Sequence, residues 1–337
     1  MTFLFSDPEK NLAVTNQRII NYLRISITDR CNLACMYCVP KESIPILTHK
    51  EIATYEELLK LTELSVELGI TKVRITGGEP LVRNGLPDFL KKLSKINKIR
   101  DIAITTNGVL LKKYIDELQN SGLKRLNISL DTLKPDKFKL ITGGDHFHIV
   151  WAGIMAAYEK GIAPIKLNTV SLRGVNDDEI EDLAEITLRY PFHVRFIEYM
   201  PMGNSAVDID QQILIPEIRH RIESRFGALE PVKRDIYDGP ARRFSIRGAK
   251  GEIGFISPIS SHFCRQCNRL RLTSTGMLRP CLLNKYEKDI LKHLRKGASN
   301  AELKEIIKSV IRNKPLSHHL GKDTGSYVES QMSTIGG

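Results

Sequence analysis

Cys31-Asn-Leu-Ala-Cys35-Met-Tyr-Cys38 sets three thiols at C-x3-C-x2-C spacing, directly after the apolar, strand-like run Tyr22 to Ile27. Three thiolates this close in sequence can hold three irons of a 4Fe–4S cluster. The fourth iron is left without a protein ligand, open to a small molecule. Zinc is the competing reading, but a structural zinc site closes with a fourth protein ligand. The nearest candidate, His49, lies eleven residues further on and has no second His beside it.

That spacing, with an aromatic residue just before the last Cys, resembles the radical S-adenosylmethionine (SAM) superfamily. The resemblance implies that the open iron binds the methionine end of SAM, whose reductive cleavage yields a 5′-deoxyadenosyl radical. Thr76-Gly77-Gly78-Glu79-Pro80 follows a second strand-like run, Lys72 to Ile75. It is similar to the family's glycine-rich loop, in which backbone contacts the amino end of the methionine moiety. Two glycines before a Pro mark only a turn when they stand alone. Their place at the end of the second strand gives them weight.

Outward from these loops, strand-like runs recur at Asp101 to Thr105, Arg125 to Asp131, Ile165 to Ser171 and Val194 to Glu198. Helical patterns separate them. A capping box at Thr54-Tyr-Glu-Glu57 opens one, with Leu58, Leu61, Leu64 and Leu68 on one face and Gly69 at its end. Others run from Leu111 to Ser121, Ile149 to Lys160 and Asp178 to Leu188. Alternating strand and helix predicts βαβ units and a parallel sheet, six units against the eight of a closed (β/α)8 barrel. Arg24, Ser26 and Thr28 share one strand face, as do Arg74 with Thr76, Asn127 with Ser129 and Asp131, and Lys166 with Asn168. A parallel sheet packed on both faces reads as continuous Val, Ile and Leu. Repeated polar residues instead suggest a sheet curled around a wet, ligand-filled interior; strand ends near solvent are the alternative for any one strand.

The 337 residues suffice for one large domain and a smaller one. Gly203 to Pro216 reads as the connection, so residues 1–215 and 216–337 are the expected divisions. No run reaches the roughly 18 apolar residues of a membrane span, and Met1 to Gln17 lacks a signal-peptide pattern. Six cysteines in two groups of three do not make an extracellular disulfide framework. The cytoplasm is the expected compartment. A net charge of +11 invites a nucleic-acid reading, but Lys and Arg are scattered without interleaved aromatics. The expectation is no nucleic acid and no membrane.

The second group, Cys264-Arg-Gln-Cys267 and Cys281, is C-x2-C-x13-C. Zinc, closed by His262, competes with a second open cluster here. Between the cysteines, Arg269 and Arg271 are two apart, so on a strand both point the same way. Two guanidiniums beside an iron with a free site suit a phosphorylated, nitrogen-rich molecule. The run from Cys267 to Cys281, C-N-R-L-R-L-T-x-x-G-x-L-R-P-C, resembles the GTP 3′,8-cyclase family of molybdenum cofactor biosynthesis. So do Leu23-Arg-Ile-Ser-x-Thr-Asp-Arg-Cys31 and the terminal Gly336-Gly337, and the likeness extends from about Arg18 to Gly337.

That resemblance implies an α/β fold: an incomplete (β/α)6 TIM-like barrel closed by a smaller C-terminal α+β region. It implies two 4Fe–4S clusters, one on Cys31, Cys35 and Cys38 with SAM, the other on Cys264, Cys267 and Cys281 binding guanine through its open iron. Tyr37, Gly78, Ser129 and Met200 would contact SAM. Arg24, Arg74, Thr105, Lys166, Arg269, Leu270 and Arg271 would bind GTP, with Thr106 as the alternative to Thr105. The Gly-Gly tail is expected to reach the active site. Implied partners are an external electron donor, a downstream cyclic pyranopterin monophosphate synthase and a second copy in a homodimer. The implied reaction moves hydrogen from C3′ of GTP to the 5′-deoxyadenosyl radical and joins C3′ to C8. The rivals are a peptide-modifying radical SAM maturase and a zinc-containing nucleic-acid-binding protein.

Overall fold

A computed structural model describes residues 18–38, 47–203, 205–233, 239–318 and 335. Six strands come first: β1 (Tyr22–Ser26), β2 (Lys72–Thr76), β3 (Asp101–Thr106), β4 (Arg125–Ser129), β5 (Ile165–Ser171) and β6 (His193–Glu198). The helices between them are α1 (Tyr55–Glu67), α2 (Leu86–Ser94), α3 (Leu111–Gln119), α4 (Pro135–Thr142), α5 (Phe147–Glu159) and α6 (Ile180–Arg189). Then follow α7 (Ile215–Phe226), β7 (Glu230–Pro231), β8 (Arg242–Ser245), β9 (Glu252–Ile256), β10 (Arg269–Leu272), β11 (Met277–Arg279), β12 (Lys288–Asp289), α8 (Ile290–Arg295) and α9 (Asn300–Arg312). The capping box at the start of α1 forms as its residues require: Glu57 N donates to Thr54 Oγ1 at 3.2 Å and Thr54 N to Glu57 Oε2 at 2.7 Å.

β1 to β6 pair in sequence order and in parallel, as expected of an incomplete barrel. The C-terminal strands do not build a separate sheet. β10 pairs parallel with β1, and β9 pairs parallel with β6, so the late segments extend both edges of the early sheet. The sheet reads β12-β11-β10-β1-β2-β3-β4-β5-β6-β9-β8-β7 and stays open.

The two faces differ as the alternation demands. Leu23, Ile25, Val73, Ile75, Ile104, Leu126, Ile128, Leu167, Val194 and Phe196 point outward into one core with Leu58, Leu61, Leu90, Ile154 and Leu183 of the helices. Each such side chain contributes about 1.5–3 kcal/mol by leaving water. Those strand residues alternate with polar ones. Register sets Arg24 beside Arg74 on one side and Arg271 on the other; Thr105, Asn127, Lys166, His193 and Glu252 form a second rung. Among the described residues no helix is long and apolar enough to cross a membrane.

Candidate active site

The inner face and the loops at both strand ends enclose one cavity of about 310 Å³, lined by all six cysteines. The cysteine sets approach it from opposite ends. Cys31, Cys35 and Cys38 follow the C-terminal end of β1. Cys264 and Cys267 precede the N-terminal end of β10, which runs parallel to β1, and Cys281 leaves the antiparallel β11 at that same end.

The first loop is held from three sides. Ala34 N and Met36 N donate to the carbonyls of Thr142 and Ile141 at the end of α4, both at 2.9 Å. Asn107 Nδ2 donates to Asn32 Oδ1 at 2.8 Å and approaches Cys31 Sγ at 3.7 Å. The glycine loop packs beneath: Gly78 N donates to Thr28 O at 2.8 Å and Glu79 N to Arg30 O at 2.7 Å. A Cβ at Gly78 would lie 2.3 Å from the Arg30 carbonyl oxygen, and one at Gly77 2.7 Å from that of Thr28. Only glycine lets the loop lie this close.

Burial raises the pKa of all three thiols of this set, that of Cys38 to about 12, with Glu79, Asp131 and the neighbouring thiols adding to it. Such thiols stay protonated until a metal supplies positive charge. The second set differs. Burial pushes Cys267 up, but Arg269 and Lys314 outweigh it and bring the thiol down to about 6.

Both sets offer three free cysteines, the donor set of a cluster with one open iron. Among the described residues, no three His, Cys, Asp or Glu groups converge as around a single ion. A four-iron cluster spreads its thiolates more widely than one zinc does. His49 is exposed and away from the cavity. The His262 ring lines the cavity mouth and packs edge-on to His318 at 5.3 Å. The residues present fit two clusters.

Between the sets lies a concentration of buried positive charge. Arg24 and Arg271 are 8% and 3% exposed. Burial, then repulsion from Arg271, Arg74 and Arg269, pushes the Arg24 guanidinium well below its usual range, and burial with Arg269 brings Arg271 down to about 9. Burial raises the Tyr22 phenol, but Arg74, Arg24, Lys72 and Arg269 together pull it lower. Like charges gathered out of water are costly without an anion, so the arrangement suits a polyphosphate.

Of the residues expected to bind ligands, Tyr37, Gly78, Ser129, Met200, Arg24, Arg74, Thr105, Arg269 and Arg271 line the cavity. Two do not. Lys166 is buried beside Asn127 and His193, close to the charge of Glu252. Leu270 sits between two inward arginines and so points outward, into the core. Thr105 and Thr106 separate cleanly: Thr106 Oγ1 donates to Glu79 Oε1 at 2.7 Å, while the buried Thr105 Oγ1 has no hydrogen-bond partner. Gly336 and Gly337 lie outside the described residues. Ile335, just before them, is buried against Met202, with Met200, Leu282 and Leu283 around it.

The chain matches two family models end to end: Radical SAM superfamily over residues 25–186 and Molybdenum Cofactor Synthesis C over residues 192–320. GTP 3′,8-cyclase of Thermodesulfovibrio yellowstonii is 50% identical over 95% of this chain and 98% of its own length. That of Desulforamulus reducens is 46% identical over the same shares. The chain belongs to the GTP 3′,8-cyclase family. It is a radical SAM enzyme. The fold is also that of Streptococcus suis SuiB, solved bound to S-adenosylmethionine, at a TM-score of 0.62 and 15% identity over 89% of this chain and 68% of that one.

The fold also places three carboxylates whose roles the sequence did not announce: Asp131 and Glu198 in the cavity lining, and Glu79 behind it. Asp131 accepts from Tyr37 Oη at 2.5 Å and from Val170 N at 2.8 Å. Glu79, beneath the glycine loop, accepts from Leu81 N, Thr106 Oγ1 and Asn107 N, and burial raises its carboxyl to about 7. Glu198 accepts from Ile215 N, Ile259 N and Ser260, tying the loop ahead of Cys264 to the end of β6. The sequence signal is a carboxylate at a strand's C-terminal end, too common to stand out.

Proposed function

We infer that this chain is a GTP 3′,8-cyclase, performing the first step of molybdenum cofactor biosynthesis: conversion of GTP to 3′,8-cyclo-7,8-dihydro-GTP. One observation carries the substrate: a rung of arginines, Arg271–Arg24–Arg74, the first two buried, set between two cysteine triads in one cavity. Cys31, Cys35 and Cys38 would hold the cluster that binds SAM, and Cys264, Cys267 and Cys281 the one that meets guanine. When bound, the first cluster and SAM supply a 5′-deoxyadenosyl radical that takes hydrogen from C3′ of GTP.

The protein's part is placement. Arg24, Arg74, Arg269 and Arg271 hold the triphosphate in register by charge-assisted hydrogen bonds. Thr105 Oγ1 offers an unused donor to the nucleotide, Lys166 adds positive charge behind the wall, and Leu270 keeps its two arginines aimed inward. Tyr37, the Gly78 backbone, Ser129 and Met200 hold SAM. Enclosure keeps water and oxygen from the radical. Residues 1–215 carry the SAM half of the site and residues 216–337 the guanine half. The enzyme takes its electron from an external donor and passes its product to a cyclic pyranopterin monophosphate synthase. It works as a cytoplasmic homodimer.

The test is anaerobic reconstitution, then iron and sulfide analysis and incubation with SAM, GTP and dithionite. About eight irons per chain, with 5′-deoxyadenosine formed only when GTP is present, supports the reading. About four irons with GTP-independent SAM cleavage points to another radical SAM enzyme. Two zincs and no 5′-deoxyadenosine end the radical reading.

A further inference from the structure

Lys314 and Pro315 follow the last turn of α9, far in sequence from any cysteine, yet all three cysteine-bearing segments of the second set are tied to them. The Lys314 side chain is buried, the residue only 6% exposed. Its ammonium donates at 2.7 Å to the carbonyl of Arg269, two residues after Cys267. It also donates at 2.5 Å to the carbonyl of Pro280, immediately before Cys281. The same ammonium reaches the Cys267 sulfur. Arg18, ahead of β1, holds the remaining segment: Nη1 donates to the Cys264 carbonyl at 2.8 Å and the Pro315 carbonyl at 3.0 Å, and Nη2 to the Lys314 carbonyl at 3.0 Å.

Two features point beyond a mere brace. The acceptors flank ligands, so displacing the ammonium would release Cys267 and Cys281 together. A cation is also what a half-buried triad of thiolates calls for, and Lys314 stands beside Cys267 together with Arg269. At the first set the charged neighbours are instead Glu79, Asp131 and the other thiols. The asymmetry assigns the cation to the second site.

We propose that Lys314 is a positioning residue for the second cluster: its ammonium fixes the backbone beside Cys267 and Cys281 and balances the ligated group, so loading of that site requires α9 to be docked. This rests on the two-cluster reading above. Partners behind metal ligands commonly change affinity by about 10–100-fold when removed.

The experiment reconstitutes four proteins anaerobically: the parent, K314M, K314Q, and a triple variant with Cys264, Cys267 and Cys281 all replaced by Ala. Iron and sulfide are counted on the folded, monodisperse fraction, and release of iron to a chelator is timed. The parent should hold about eight irons and the triple variant about four. K314M should fall to the triple variant's count. K314Q, which keeps two N–H donors but no charge, should lose its second-site iron at least about tenfold faster than the parent. Eight irons with parental chelator resistance in both variants would overturn the proposal. If K314M does not fold, K314Q decides by the same two measurements. A parent holding four irons, unchanged by the triple substitution, would instead overturn the two-cluster reading.

Discussion

Tyr37 Oη donates to Asp131 Oδ2 across 2.5 Å, joining the aromatic residue of the first cysteine loop to the segment that follows β4. Asp131 also accepts from Val170 N, and burial raises its carboxyl to about 6. An unfolded Asp titrates near about 3.9. Between those values the native state holds more protons than the unfolded chain, so stability falls as pH rises from about 4 to about 6, by roughly 3 kcal/mol in all. D131N should flatten this slope, read from denaturant midpoints across that range. Its amide keeps Val170 N on Oδ1 but replaces the charged acceptor for Tyr37 Oη with an N–H donor, so that contact weakens and the SAM dissociation constant should rise a few-fold by equilibrium dialysis. An unchanged slope would show that Asp131 is not the titrating group.

Thr105 and Thr106 make opposite predictions. T106V leaves Glu79 Oε1 short of a donor in a buried place, costing roughly 1–3 kcal/mol of stability with little direct effect on GTP affinity. T105V removes a hydroxyl with no partner in the protein, so stability should hold or improve while GTP binding weakens a few-fold. Melting curves and calorimetric GTP titration of the two variants separate them.

G78A should abolish SAM binding, because its methyl meets backbone and not a yielding side chain. Gly239 has nothing within 4 Å of a Cβ and no positive φ, so G239A serves as the neutral control. First-cluster iron retained with no SAM bound is the expected result for G78A; parental SAM affinity would contradict the close packing.

Arg271 illustrates stability yielded to function. Its pKa, lowered to about 9 by burial and then by Arg269, lies below the ordinary range near about 12.5. The unfolded chain therefore binds more protons between those values, and native stability rises as pH climbs through them. At neutral pH the full penalty of the charge is in place. R271M should melt at least a degree or two higher than the parent without nucleotide, since about 1 kcal/mol moves a chain of this size by roughly 1–2 °C. GTP affinity should drop about 10- to 100-fold as a charge-assisted bond is lost. A variant that melts lower would show that the contacts Arg271 makes within the protein outweigh the cost of burying its charge.

The six early strands, the α1 cap and both cysteine triads were legible because each is written locally: period-two alternation, a four-residue box, a fixed thiol spacing. The polar inner face was legible for the same reason, since Arg24, Arg74 and Asn127 each alternate with aliphatic neighbours. What escaped depends on partners distant in the chain. Nothing around Glu198 announces that it caps the loop at Ile259 and Ser260, some 60 residues on. β9 and β10 fall within residues 216–337, the expected second division, and only pairing reveals that they join the first sheet. Lys166 shows the limit of the alternation: it lies on the inner rung as expected yet stands behind the cavity wall, because rung position sets a direction and not a depth.

The position of β1, gripped on one side by β2 and on the other by β10, has a consequence for biosynthesis. While the chain emerges from the ribosome, β1 finds β2 within about fifty residues but waits for residue 269 before its other edge is covered. For most of translation the nascent barrel therefore exposes a row of unpaired backbone groups beside Arg24, an adhesive margin for other nascent chains. Folding of this enzyme is finished from its tail, and chains interrupted before β10 are expected to be poorly soluble and dependent on chaperones.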